Sequence, residues 1–173
     1  IMGFGADHIA LATGAHWTRN LYSALEIPIA PLNKPCVFTP DDVFAGNVAG
    51  DRLLVFDFDH YYLGGVIAEH LAAGGKQVTY ATPAGHASAW TFMTNELPFV
   101  YQALAREGVA IHTTTNLISF DGAQAIVANL FNQSSLELAV DGIVIVGHRV
   151  PNDTLYDALV TSSGCADTAS SVS

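Results

Sequence analysis

Asp57, Asp59, His60, Tyr61 and Tyr62 crowd the point where an apolar run, Leu53 to Phe56, gives way to Leu63-Gly64-Gly65-Val66-Ile67. A turn between a strand and a helix does chemistry through the helix N-terminus, whose free N–H groups bind anions when glycines let the ligand approach. Two carboxylates and three bulky rings at that place oppose such binding. Elsewhere the chemistry-bearing residues are scattered. Asp41-Asp42 and Asp51 are helix-start and surface acids, with no base or metal ligand grouped beside them. His60 and His70 share no helical turn, no HExxH or CxxC occurs, and Cys36 and Cys165 lie far apart. No catalytic residue and no metal site is assigned, and the two cysteines read as unconnected thiols of a reducing, cytoplasmic compartment.

The elements around the turn have the outline of a dinucleotide-binding βαβ unit. An apolar strand is followed by a helix whose inward face is Leu63, Val66, Ile67 and Leu71; Gly74-Gly75 stops it, and Gln77-Val-Thr-Tyr-Ala-Thr82 supplies a second strand. Anchored on the strand, the three glycines of a GxGxxG turn fall on Asp57, Asp59 and Tyr62. Anchored on the helix they fall on Asp59, Tyr61 and Gly64. The first two glycines are missing in both registers. A carboxylate about 4 Å from a phosphate charge costs roughly 4 kcal/mol at an effective dielectric near 20, close to a thousandfold in affinity. Asp59 has an alternative role as N-cap of the helix. The ribose handle is missing as well, because Ala81-Thr-Pro-Ala-Gly-His86 offers neither the acid of an NAD site nor the arginine of an NADP site.

The chain of 173 residues suits one domain, or one domain carrying pieces of a neighbour. Half of it is hydrophobic and 13% is charged, against roughly 25% in ordinary soluble domains. Part of its surface is therefore expected to be covered by other protein. No apolar run reaches the roughly 20 residues of a membrane span. Six basic against sixteen acidic residues leave no basic patch, which excludes nucleic acid and anionic membrane as partners. The opening Ile1-Met-Gly-Phe4, without a basic stretch, reads as a piece of a longer chain rather than a signal peptide.

Along the chain, Asp7 to Gly14 reads as a buried strand ending in a glycine turn. From Trp17 to Pro40 the prolines Pro28, Pro31, Pro35 and Pro40 forbid a long helix. Thr39-Pro-Asp-Asp42 starts a short helix with Thr39 as N-cap, ending near Gly46. Pro83 to Asn95 is a loop, Leu97 to Arg106 a helix stopped by Gly108, and Val109 to Thr113 a third strand. The period then changes: Leu117 to Phe120, Ala125 to Phe131 and Ser135 to Val140 form an antiparallel β-meander, followed by a buried strand in Asp141 to Gly147. Thr161 to Ser173 has no periodicity and reads as disordered.

Two short strands ending in glycine, His8 to Gly14 and Gly142 to Gly147, bracket the central unit, a layout that resembles the two-dinucleotide-domain flavoproteins. Within them the chain is most similar to the trimethylamine dehydrogenase branch of the NADH:flavin oxidoreductase (2,4-dienoyl-CoA reductase-like) family. The matching residues are Ala12-Thr-Gly-Ala-His-Trp17, Leu32 to Val43, Arg52-Leu-Leu-Val55 with Asp59 and Tyr61, Ile67-Ala-Glu-His-Leu71, Val78-Thr79, Gly147-His-Arg149 and Thr154-Leu155. The resemblance implies an α/β, Rossmann-like NAD(P)-type domain: a parallel sheet with helices plus the antiparallel meander. It divides the chain into residues 1–50 (exit strand of an FAD/ADP-type domain and connector), 51–149 (the NAD-like domain with its degenerate phosphate turn) and 150–173 (return segment and tail). It places Thr13 and Gly14 near the adenine-nucleotide side of the FAD-type domain. For the parent it implies a barrel with FMN and an iron–sulfur cluster, ADP or FAD in the neighbouring domain, electron transfer to an electron-transfer flavoprotein, and a homodimer. In this chain it implies no cofactor and a structural role. Two alternatives stand beside it: a working NAD(P)H domain of a flavoprotein reductase, and a non-enzymatic docking module.

Overall fold

The computed structural model describes residues 8–20, 32 and 34–163. The chain forms two compact units, Trp17–His148 and the pair of terminal segments Ile1–His16 with Arg149–Ser173.

The larger unit is built on a five-stranded parallel sheet. Its strands are β2 (Val37–Phe38), β3 (Arg52–Asp57), β4 (Gln77–Ala81), β5 (Ala110–His112) and β9 (Gly142–Val146), in the order β2-β9-β3-β4-β5. β3 and β9 sit at the centre, in register from Leu53 opposite Gly142 to Asp57 opposite Val146. Every residue of β9, and every residue of β3 after Arg52, is buried, as expected of a parallel sheet covered on both faces. Strand alternation divides these side chains between two cores. Leu53, Val55, Tyr80, Val144 and Val146 face helices α2 (Tyr62–Ala73) and α3 (Leu97–Arg106), meeting Ile67, Ala68, Leu71 and Leu104. Leu54, Phe56, Ile143 and Ile145 face the other way, onto Leu117, Phe120, Ala125 and Val127 of the antiparallel sheet β6 (Thr115–Phe120), β7 (Gln124–Asn129) and β8 (Ser135–Ala139). The unit is thus helices, parallel sheet and meander in three layers.

The local chemistry explains the ends of these elements. Helix α1 (Pro40–Phe44) starts at a capping box: Asp42 N–H donates to Thr39 Oγ1 at 3.4 Å, and Thr39 N–H donates to Asp42 Oδ2 at 2.8 Å. The β6–β7 turn is held by Asp121 Oδ1, which accepts from the N–H groups of Ala123 and Gln124, both at 2.8 Å. Between Asp57 and Tyr62 the sheet passes into helix α2, and beyond β4 the segment from Thr82 folds back as a 3-10 turn, Ala89–Phe92.

Three expectations from the sequence need correction. Val66 is 43% exposed, not part of the inward face. Gly64 and Gly65 have no side chain and Ala68 only a methyl group to hold the helix off the sheet, so the closest approach lies along Gly64, Ile67, Ala68 and Leu71, and Val66 swings outward. Residues 8–14 are not a buried strand: they are largely exposed, and β1 begins only at Ala15 (Ala15–Trp17). Among the described residues its one partner is β10 (Arg149–Pro151), and none of them adds a second ladder to the segment. Residues 161–163 complete helix α4 (Thr154–Ser163), where a disordered tail was expected from Thr161. The remainder of that tail, residues 164–173, lies outside the described residues, as do Pro28 and Pro31 of the connector.

Candidate functional site

Asp57 ends β3 and is fully buried. Its Oδ1 accepts the backbone N–H groups of Asp59 and His60, each at 3.1 Å. Its Oδ2 accepts the hydroxyl of Tyr80 on the adjacent strand. Burial pushes the Asp57 carboxyl up to about 7, against the pull of the Tyr80 and backbone donors. Tyr80 itself is pushed well above its ordinary value by burial and by the Asp57 charge.

Gly64 stands in the first turn of α2, directly against this carboxyl. A β-carbon there would lie 2.5 Å from Asp57 Cγ and 2.8 Å from its Cβ. This is the close strand–helix packing that the third glycine of a phosphate turn provides. Asp57 ends the strand, Gly64 lies in the first turn of a helix that starts at Tyr62, and residues 58–61 form the turn between the two elements.

That turn is folded down on itself. His60 adopts a left-handed backbone, φ 63°, and its carbonyl accepts from Trp90 N–H at 2.9 Å. Its ring lies between those of Phe58 (5.3 Å between centroids) and Trp90 (6.3 Å), with Nδ1 3.4 Å from Thr82 Oγ1. Burial lowers the His60 pKa, partly offset by the nearby Asp59 charge. The Tyr61 and Tyr62 rings lie against each other at 4.6 Å. Asp59 is not the N-cap of α2; Tyr61 is, with no side-chain cap bond. The left-handed step at His60 moves the helix start two residues beyond Asp59, and Asp57 takes the turn N–H groups that Asp59 was expected to serve.

The segment after β4 closes the other side. Ser88, buried and left-handed at φ 48°, donates its N–H to Tyr80 Oη at 2.9 Å. A β-carbon on Gly65 would meet Ser88 Oγ at 2.7 Å. At the end of β4, the ribose position of a nucleotide site, Thr82 is fully buried; its Oγ1 accepts from Ala84 N–H at 3.2 Å. Tyr80 and Ser88 were not singled out from the sequence. The one available signal was a tyrosine inside an apolar strand, since a buried phenol requires a hydrogen-bond partner.

Thr13 and Gly14 lie in the terminal unit and engage Asn152. Thr13 Oγ1 donates to the Asn152 carbonyl at 2.5 Å, Asn152 N–H donates to the Gly14 carbonyl at 2.9 Å, and Asn152 Nδ2 donates to the Thr13 carbonyl at 3.1 Å. Gly14 takes φ 75°, a left-handed turn. Among the described residues no group of three or more His, Cys, Asp or Glu is placed to hold a metal ion, and no helix is long and apolar enough to cross a membrane.

A parallel sheet with a strand–turn–helix at its centre, helices on one face and a meander on the other is the Rossmann-like domain of flavoprotein oxidoreductases. The homologues of the chain are amine dehydrogenases and amine oxidases, which bears out the resemblance to the trimethylamine dehydrogenase branch. The dimethylamine dehydrogenase of Hyphomicrobium sp. (strain x) is 27% identical over 186 residues, covering 95% of this chain and 25% of that protein. The structure of 6-hydroxypseudooxynicotine amine oxidase (HisD) from Pseudomonas geniculata N1 superposes with a TM-score of 0.86 at 34% identity, over 93% of this chain and 24% of that one. Histamine dehydrogenase from Rhizobium sp. 4-9 gives 0.84 at 29% identity, over 94% and 26%. The chain therefore spans about a quarter of the length of the relatives it matches. No family model matches it.

Proposed function

We propose that this chain is an architectural domain of a flavin-dependent amine dehydrogenase or oxidase, in which protein atoms occupy the place where a Rossmann domain holds dinucleotide phosphate. The observation that carries this reading is the Asp57–Gly64 contact, with Asp57 Oδ1 bound to the turn N–H groups a phosphate would need. Exclusion is steric first. With its pKa near 7, Asp57 is partly protonated at neutral pH, so the full charge repulsion acts only at higher pH. The residues present do not fit NAD(P), and no step of the chemistry runs through them.

The amine chemistry belongs to the rest of such a parent, with FMN and an iron–sulfur cluster in a barrel and ADP or FAD in the neighbouring domain. Electrons leave to an electron-transfer flavoprotein, and the parent is a cytoplasmic homodimer. Thr13 and Gly14 lie on the adenine-nucleotide side, and their bonds to Asn152 shape that segment.

A covering protein surface is favoured by a specific observation. Tyr62, Val66, Phe99, Val100 and Ala103 line a groove of about 370 Å³ between α2 and α3. Nearby in the chain Trp90, Phe92 and Met93 are 61%, 67% and 83% exposed, more large apolar surface than a free face carries without a partner. Calorimetric titration of NADH, NADPH and ADP into the purified chain tests the reading. No saturable heat is expected up to millimolar ligand; micromolar binding of NADH or NADPH would restore the working-reductase alternative.

A further inference from the structure

The Asp57 network reaches beyond the turn. Tyr80 Oη lies between Asp57 Oδ2 and the Ser88 backbone N–H, while Ser88 Oγ is buried, has no hydrogen-bond partner and lies within reach of the same phenol. The segment holding Ser88 is pinned at a second point, where Trp90 N–H meets the carbonyl of His60, itself fixed by Asp57 Oδ1 through its N–H. Two non-glycine residues, His60 and Ser88, are thereby kept left-handed, a strain that persists only while these bonds hold.

We propose that Asp57, Tyr80 and Ser88 form a proton-linked latch that holds the Ala87–Met93 segment over the β3–α2 turn when Asp57 is protonated and releases it when Asp57 is ionised. The atoms allow both states. With the carboxyl protonated, Asp57 donates to Tyr80 Oη, and the phenol proton turns to Ser88 Oγ, so Tyr80 holds Ser88 at both its N–H and its hydroxyl. When the carboxyl proton leaves to solvent, Tyr80 must donate to the carboxylate. Ser88 Oγ then loses its donor, and a charge is left buried between strand and helix, which opening relieves.

The groups facing Asp57 agree with this direction. Asp59, on its own turn, raises its proton affinity. β4 contributes Tyr80, which burial keeps protonated. Helix α2 contributes Gly64, without charge, and its nearest acid, Glu69, is paired with Arg106 at 2.7 Å. β9 contributes apolar Val146, followed by His148, whose ring lies 5.6 Å from that of Phe58. The covering segment contributes Ser88 and Trp90, neither of which titrates, and burial lowers the proton affinity of His60.

Amide hydrogen exchange of the whole chain, corrected for intrinsic chemistry, reads the latch where Ser88 and Trp90 exchange faster than Val144 of β9, the reporter of global opening. Protection at Ser88 and Trp90 should fall by at least about tenfold between pH 5 and pH 8 and level off above about 7, because opening returns Asp57 to a solvated carboxylate. Asp57→Asn should abolish the dependence. A step that persists in Asp57→Asn would assign it to His60 and overturn the proposal, as would protection that is flat with pH in the unaltered chain. Should Asp57→Asn fail to fold, Ser88→Ala decides: it should lower protection at Trp90 at pH 5 and leave pH 8 nearly unchanged. A loss of equal size at both pH values is a purely structural effect and overturns the latch. Nucleotide binding plays no part in this readout, so its outcome is independent of the titrations above.

Discussion

Asp57 and Gly64 touch so closely that the helix following the turn has room for glycine alone at that position: any β-carbon would sit 2.5 Å from the aspartate Cγ. The atom met is near the root of a buried side chain whose oxygens are bound on both sides, so it cannot swing away. Gly64→Ala is therefore expected to destabilise the fold by about 1–3 kcal/mol, the cost of overpacking a filled core. Urea unfolding measures it. Gly85→Ala, where no atom lies within 4 Å of the new carbon, should stay within about 0.5 kcal/mol.

Stability should depend on pH through Asp57. Its folded pKa, about 7, lies above the roughly 3.9 of an unfolded aspartate, so the folded state binds the proton more tightly. The contribution is fully present below about pH 4 and is lost as pH rises through 7, by at most about 4 kcal/mol. Asp141 has the opposite sign: hydrogen bonds from the Arg52 guanidinium and from the backbone N–H groups of Arg52 and Asp51 hold its carboxyl well below the usual range, so its stabilisation is lost only in stronger acid. Between pH 5 and 8 the unaltered chain should lose urea resistance, and Asp57→Asn should lose markedly less. Equal slopes in the two proteins would contradict the assignment.

Helix α1 depends on its cap. Thr39→Ala removes the acceptor for Asp42 N–H, and the expected loss is about 1 kcal/mol. Thr39→Ser keeps the oxygen and should recover most of it, as thermal unfolding of both variants will show.

Much of the frame was legible from residue types. The run Leu53 to Phe56 and the alternation after Asn116 announced the central strand and the meander, because burial on two faces and on one leaves different periods. The site was legible only in part. The missing glycines were visible, but the choice between Asp57 and Asp59 turns on the left-handed step at His60, which no residue type there announces. Tyr80 reaches Asp57 from 23 positions away in the chain, across a strand register, and Ser88, 31 positions away and beyond a reversal of direction, reaches it only through Tyr80. Val66 was misplaced because helical spacing counts apolar positions and takes no account of Gly64 and Gly65 drawing the axis toward their own side. The run from His8 to Gly14 reads as a strand by composition, yet a strand requires neighbours to pair with.

The most direct measurement is a crystal of the chain soaked in millimolar NADH and, separately, NADPH. Unchanged density is expected at the turn, with the Asp57 carboxyl joined to Tyr80 Oη and to the N–H groups of Asp59 and His60. Diphosphate density against the first turn of α2, with Asp57 displaced from those partners, would contradict the account.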